Sequence, residues 1–162
     1  MAEDSYNLVY SEKVLDHFQN PRNAGVVPDY NGIGKIGDPS CGDMCIITLR
    51  VEKERIADIK FKVYGCAGAI ATSSAVTELA LGKNTDEALQ ITDDDVVTYL
   101  DGLPERKKHC SLLAVQALQQ AIYDYWLFEQ LKKEGQVKNR QEYDEIREEI
   151  RQGILAQYAG YE

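Results

Sequence analysis

Three cysteines of this chain fall where a thiol can be activated or can hold a metal. Cys41 lies in Gly37-Asp38-Pro39-Ser40-Cys41-Gly42-Asp43, two residues before a carboxylate and beside a glycine that can take unusual backbone angles. Cys66 stands where a β-rich run hands over to a helical one, and Cys110 stands at the head of the longest helical pattern. A thiol at a helix N-terminus meets unpaired N–H groups and the positive end of the dipole, so both Cys66 and Cys110 are expected to favour the thiolate. His109 directly precedes Cys110. The chain thus offers three thiolates, the Asp43 carboxylate and an imidazole, and any four of these can complete a tetrahedral shell. Zinc accepts such mixtures, and iron-sulfur clusters are held by thiolates with one occasionally replaced. A soft thiolate and a hard carboxylate in one short loop suggest a metal that is bound without being held too firmly.

Other readings of the same residues are weaker. A Cys-His nucleophilic pair is not expected of His109 and Cys110, because neighbours on a helix do not face each other. Cys45, inside a strand pattern, reads as a small buried residue, and His17, inside a helix pattern, as a packed or solvated one. Four cysteines could form two disulfides in an oxidising compartment, but an intracellular chain of 162 residues does not need such staples.

The elements that must position these groups can be read in order. Ser11 caps a helix through Val14, Leu15 and Phe18 that ends at Asn20-Pro21. Residues 22 to 36, rich in Gly, Asn and Pro, read as loop and short extended pieces. Residues 44 to 64 read as a β-hairpin turned by Glu52-Lys53-Glu54-Arg55, with Ile59, Phe61 and Val63 on a buried face and Lys60, Lys62 and Tyr64 on a wetter one. Helices are expected over 67–81, in a short turn at 85–89, and from a capping box at Thr92/Asp95 to Leu100. A long helix from Cys110 to about Lys133 shows an apolar stripe through Leu113, Ala117 and Ala121. The last segment, Arg140 to Tyr158, is amphipathic through Tyr143, Ile146, Ile150, Ile154 and Tyr158. It could cover the chain's own core or serve as a subunit contact in a homo-oligomer.

A hydrophobic content of 44% suits one domain with a modest core, and the formal charge of -9 argues against a nucleic-acid surface. No apolar run is long enough for a membrane span or signal peptide, so a cytoplasmic location is expected.

Taken together, several motifs resemble the IscU/NifU N-terminal-type iron-sulfur cluster scaffolds over residues 9 to 127. They are Tyr10-Ser11-Glu12-Lys13-Val14 through His17-Phe18, Asn20-Pro21-Arg22-Asn23, Cys41-Gly42-Asp43, Tyr64-Gly65-Cys66-Ala67 through Ser74, and Lys108-His109-Cys110-Ser111-Leu112-Leu113-Ala114. The resemblance implies an α+β fold with a three-stranded antiparallel sheet packed against several helices. On this reading 1–135 is the scaffold domain and 136–162 a C-terminal amphipathic helical extension of it. It implies a nascent 2Fe-2S cluster on Cys41, Cys66 and Cys110, completed by Asp43 or His109, with Cys110 as sulfur acceptor, Lys108 as an accessory group, and zinc able to occupy the same site. The implied partners are a cysteine desulfurase that supplies sulfur and apo iron-sulfur proteins that receive the cluster, so the chain would be a carrier and no enzyme. Scaffolds served by a dedicated Hsp70 carry Leu-Pro-Pro-Val-Lys where this chain has Leu103-Pro104-Glu105-Arg106-Lys107, which puts an Hsp70-type chaperone partner in doubt. The alternative is a SufU-type zinc-dependent sulfurtransferase built on the same thiols and aspartate. Against it, the chain has no extra insertion between Cys66 and Cys110. A purely structural zinc domain would explain the ligands but not the carboxylate beside a flexible glycine.

Overall fold

The computed structural model of the protein describes residues 10–38 and 42–158. The first helix, α1 (Glu12–Gln19), starts where expected because the Ser11 hydroxyl accepts the Val14 N–H at 3.1 Å. It leads into a three-stranded antiparallel sheet in the order β1 (Gly32–Asp38), β2 (Asp43–Glu52), β3 (Arg55–Tyr64). The hairpin between β2 and β3 turns on Lys53 and Glu54 alone, both in the left-handed region at φ 51° and 66°, the twist that two-residue hairpins prefer. Alternation then puts Cys45, Ile47, Leu49, Ile59 and Phe61 in the core, while Lys62 and Tyr64 are exposed.

Strand β1 is the third strand of the sheet that the family resemblance implies, although the residues themselves read only as loop and short extended pieces over 22 to 36. Its sequence, Gly-Ile-Gly-Lys-Ile-Gly-Asp, has poor strand propensity, but its glycines serve packing. A Cβ at Gly32 would fall 2.5 Å from the Ala121 carbonyl, and one at Gly34 would fall inside that of Ala117. Both carbonyls belong to α5 (Lys108–Lys133), so strand and helix meet backbone to backbone. Two side chains from α5 complete the seam: Asp124 accepts the Ile33 N–H and Gln120 the Lys35 N–H.

Helix α2 (Ala67–Ala80), nearly all Ala, Ser and Thr, is buried along most of its length and packs against α1 and β3. Two short helices follow, α3 (Thr85–Leu89) and α4 (Asp93–Tyr99), the second carrying the full Thr92/Asp95 capping box. A 3-10 turn over Glu105–Lys107 runs straight into α5. The buried stripe of α5 is Ala114, Val115, Ala117, Leu118, Ala121 and Ile122, with Leu113 only half-buried.

The chain divides into two compact units, Met1–Tyr125 and Trp126–Glu162, with the boundary inside α5. In the second unit, Phe128, Val137 and Tyr143 form a small core, with the Phe128 and Tyr143 rings edge to face at 5.5 Å and the Arg140 guanidinium over both. Tyr143 lies in the first turn of α6 (Arg140–Tyr158). From residue 145 to 157 every residue of α6 is exposed. Among the described residues no helix is long and apolar enough to cross a membrane.

Candidate metal centre

Four of the five residues expected to bind metal come together at one end of the first unit, each brought by a different consequence of the fold. Asp43 opens β2 opposite Asp38. Cys66 is the N-cap of α2, with an extended backbone at φ -81° and ψ 176°. His109 and Cys110 are the second and third residues of α5. The Cys66 and Cys110 sulfurs are 3.8 Å apart, the Cys110 sulfur is 3.7 Å from His109 Nε2, and His109 Nε2 is 3.9 Å from Asp43 Oδ2. Cys41 lies outside the described residues.

These spacings are informative. Two thiolates on one tetrahedral centre at about 2.3 Å from the metal are about 3.7 Å apart, close to the observed sulfur separation. The other two contacts join the four side chains in a row and not around one centre. Among the described residues, however, no group of three or more converges as a ready-made metal site. The donor chemistry fits iron-sulfur or zinc ligation, with two soft sulfurs, an imidazole and one hard oxygen. The Asp43 carboxylate lies directly over Gly65, where a Cβ would stand 2.8 Å from its Oδ1.

The two thiols are not equivalent. Burial pushes the Cys66 thiol up, but the amides of Ala69 and Gly68 at the open end of α2, the Cys110 thiol and the Lys107 ammonium together bring it below the usual thiol range. Cys110 shifts the other way: it is 1% exposed, and burial, the negative Cys66 sulfur and the Asp43 carboxylate all hold its proton on. Of the pair, Cys66 is therefore the more acidic thiol and Cys110 the one that keeps its proton. This corrects the expectation that both helix-start cysteines would be thiolates. The 3-10 turn and the start of α5 at Lys108 carry Cys110 inward to the third helical position, where low-dielectric burial outweighs the dipole. His109 corrects a second expectation, since its imidazole does reach the sulfur of the adjacent Cys110.

Two further groups border the sulfurs. Lys107 lies beside Cys66, its Cβ and the Cys66 sulfur 3.5 and 3.6 Å from the position a Gly68 Cβ would take. Tyr10 holds its proton more tightly than usual, chiefly through burial, with Lys107 opposing and both thiols adding, which places it within their field. Lys108 points elsewhere and pairs with Glu105 at 2.6 Å.

Residues 9–132 match the NifU-like N terminal domain family. The chain belongs to this family. It is 56% identical over 118 residues to iron-sulfur cluster assembly scaffold protein IscU 1 of Archaeoglobus fulgidus, spanning 73% of this chain and 77% of that protein. It is 45% identical over 142 residues to the IscU scaffold protein of Aquifex aeolicus, spanning 86% and 87%. A crystal structure of a putative iron-sulfur cluster assembly scaffold protein for the SUF system from Fervidobacterium islandicum has the same fold, with a TM-score of 0.57, 22% identity, and coverage of 70% of this chain and 96% of that one.

Within this NifU-like domain, sequence reasoning singled out Lys108 and passed over its neighbour Lys107. Both are adjacent to the His-Cys motif, and only the helical phase of the Glu105–Lys107 turn decides which ammonium faces the sulfurs. The remaining cysteine, Cys45, is fully buried in β2, its sulfur 3.5 Å from the Ser73 hydroxyl and its pKa pushed up to about 11 by burial. It is the shielded residue the strand pattern predicts.

Proposed function

We propose that this chain is a scaffold on which a 2Fe-2S cluster is assembled and from which it is passed to acceptor proteins, the cluster being cargo. The observation that carries this reading is the string Cys66, Cys110, His109, Asp43, each within 4 Å of the next and running from the buried Cys110 to the exposed His109 and Asp43. Cys66, the more acidic of the two thiols, is the first proposed sulfur ligand for iron. Cys110 is the proposed sulfur acceptor: its sulfur attacks the outer sulfur of a persulfide on a cysteine desulfurase, the S–S bond breaks, and the Cys110 proton goes to the desulfurase thiolate that leaves. Asp43, with a side chain 42% exposed, is the hard ligand on a thiolate-preferring metal and gives the point of exchange. Cys41 is the third proposed thiolate, His109 the alternative fourth ligand, and Lys107 and Lys108 the flanking cations. The scaffold function resides in 1–135, with 136–162 as its helical extension, in a cytoplasmic protein. A chain truncated after residue 135 should still assemble clusters.

A zinc-dependent sulfurtransferase is the second reading, favoured by the sulfur separation that suits a tetrahedral ion. The decisive experiment is anaerobic reconstitution with a cysteine desulfurase, cysteine and iron, followed by assay of iron, acid-labile sulfide and zinc. Iron and sulfide in equal amounts, delivered intact to an apo-ferredoxin, support the scaffold. Persulfide on the chain with tightly held zinc and no cluster would overturn it.

A further inference from the structure

The sulfur that a desulfurase hands over is persulfide sulfur, whereas a cluster holds sulfide, so the delivered atom must be reduced before it can bridge iron. A thiol can do this by attacking the inner sulfur of the persulfide, because the outer one then leaves as sulfide and the two remaining sulfurs are joined as a disulfide. On Cys110 the inner sulfur is its own Sγ, and the Cys66 sulfur already touches that atom at 3.8 Å. The other free thiol among the described residues, Cys45, is fully buried in β2 against Ser73.

The fold holds this contact from both sides. Cys66 caps α2 with its side chain making no capping hydrogen bond, so the sulfur is not tied to its own helix as a serine or threonine cap is. Six residues on, the buried Thr72 hydroxyl lies 3.1 Å from the Ala69 carbonyl and 3.2 Å from the Cys110 carbonyl, sharing its proton between the first turn of α2 and the first turn of α5. Two helix starts pinned in this way keep their sulfurs in contact and give the pair the advantage of an intramolecular reaction. Attack on the outer sulfur would merely move the persulfide to Cys66 and would expel the Cys110 sulfur as an anion in a site where it is 1% exposed.

We propose that Cys66 is the internal reductant of a Cys110 persulfide, a role that rests on Cys110 being the sulfur acceptor. The Cys66 sulfur attacks Cys110 Sγ, a Cys66–Cys110 bond forms, the persulfide S–S bond breaks, and the Cys66 proton goes to the outer sulfur, which leaves as hydrogen sulfide. The delivered sulfur is reduced and the cysteine pair is oxidised to a disulfide. A dithiol reductant then returns the pair to two thiols, which are free to bind iron.

A single-turnover experiment tests this. The full chain, reduced and freed of small thiols, is mixed without oxygen or iron with a cysteine desulfurase carrying one equivalent of persulfide. Wild type should release one sulfide for each Cys66–Cys110 disulfide found by peptide mapping after alkylation, and an added dithiol should allow a second turnover. Cys66→Ser, shown to be folded by circular dichroism, should take sulfur on Cys110 and keep it at least about tenfold longer. A persulfide that lasts as long on wild type as on Cys66→Ser would overturn the proposal while leaving Cys110 as acceptor. Sulfide released without a disulfide, a disulfide made through Cys41, or a persulfide relayed to Cys66 would overturn it equally. A wild-type chain that takes no sulfur on Cys110 would remove the acceptor role itself, and this step with it.

Discussion

The two ends of helix α2 carry polar side chains under opposite regimes. Toward its C-terminal end, His17 Nδ1 sits 2.8 Å from the Ser74 hydroxyl, which also accepts the Arg22 N–H at 2.8 Å and so is free to give its own proton to the imidazole. Glu78 accepts from the Tyr99 hydroxyl and pairs with Arg22, whose guanidinium also reaches Asp16. Asn23 donates to Thr77 at 3.1 Å. Apart from Arg22 Nη1, which has no hydrogen-bond partner, this network satisfies itself. At the N-terminal end the Cys66, Cys110, His109 and Asp43 contacts are all 3.7 to 3.9 Å long. The first set is made of nitrogen and oxygen hydrogen bonds that hold helices together, the second of longer sulfur contacts and an exposed ion pair, the set proposed above to take the cluster. Interior polar atoms close on each other because leaving them unpaired is costly, whereas on the proposed function the second set would exchange its mutual contacts for the cluster.

The largest effect expected from breaking this contrast is at Cys66. Cys66→Ser should abolish the visible absorbance of the anaerobically reconstituted cluster while leaving the thermal unfolding midpoint nearly unchanged. A full cluster complement in that variant would remove Cys66 from the site. Ser74→Ala should do the converse, costing about 1–3 kcal/mol in urea unfolding because His17 and the Arg22 N–H lose their partner. Its cluster content per folded chain should equal that of the wild type, and a parallel loss of cluster would show that the two ends are not separable.

Smaller effects sharpen the contrast. Asp43→Ala should lengthen cluster retention several-fold, read as the half-life of absorbance against an apo-acceptor, and equal half-lives would exclude Asp43 as the release point. Gly65→Ala should have a weaker effect in the same direction, because its methyl would displace the Asp43 carboxylate without deleting it. The smallest is a pH effect at His17. Burial, then Arg22, depress the pKa of its imidazole against the pull of Glu78 and Asp16. The folded state thus binds fewer protons than the unfolded one, so the contribution is complete above an unfolded pKa of about 6.5 and is lost as pH falls through the lower folded value. Replacing His17 by Gln should flatten the difference in stability between pH 7.5 and pH 5.5, measured against wild type to cancel the carboxylates common to both.

The helices and the β2–β3 hairpin were legible because each signal is local: the Ser11 cap, the Thr92/Asp95 box, and the alternation from Ile59 to Tyr64. The proposed site residues were singled out for a different reason, namely that a thiol at an element boundary has few structural uses, and the structure brings Cys66, Cys110, His109 and Asp43 into one row. What escaped was non-local. Strand β1 is hidden by Gly32 and Gly34, which look like loop residues until α5 is seen to need their missing side chains. The split between Cys66 and Cys110 depends on which thiol the tertiary structure buries. The exposure of Ile150 could not be told from burial by periodicity, since a covered ridge and a bare one have the same spacing.

The glycine seam of β1 has a consequence for the sulfurs. Gly34 is locked against Ala117 and Ala121, two and three turns along α5 from Cys110. A strand with side chains would let the helix ride on a deformable cushion, tolerant of rolling about its own axis. Bare backbone against bare backbone admits one angular setting, so the sheet edge acts as an index pin for the helix. If α5 slipped by a single residue, Cys110 would swing about 100° away from Cys66.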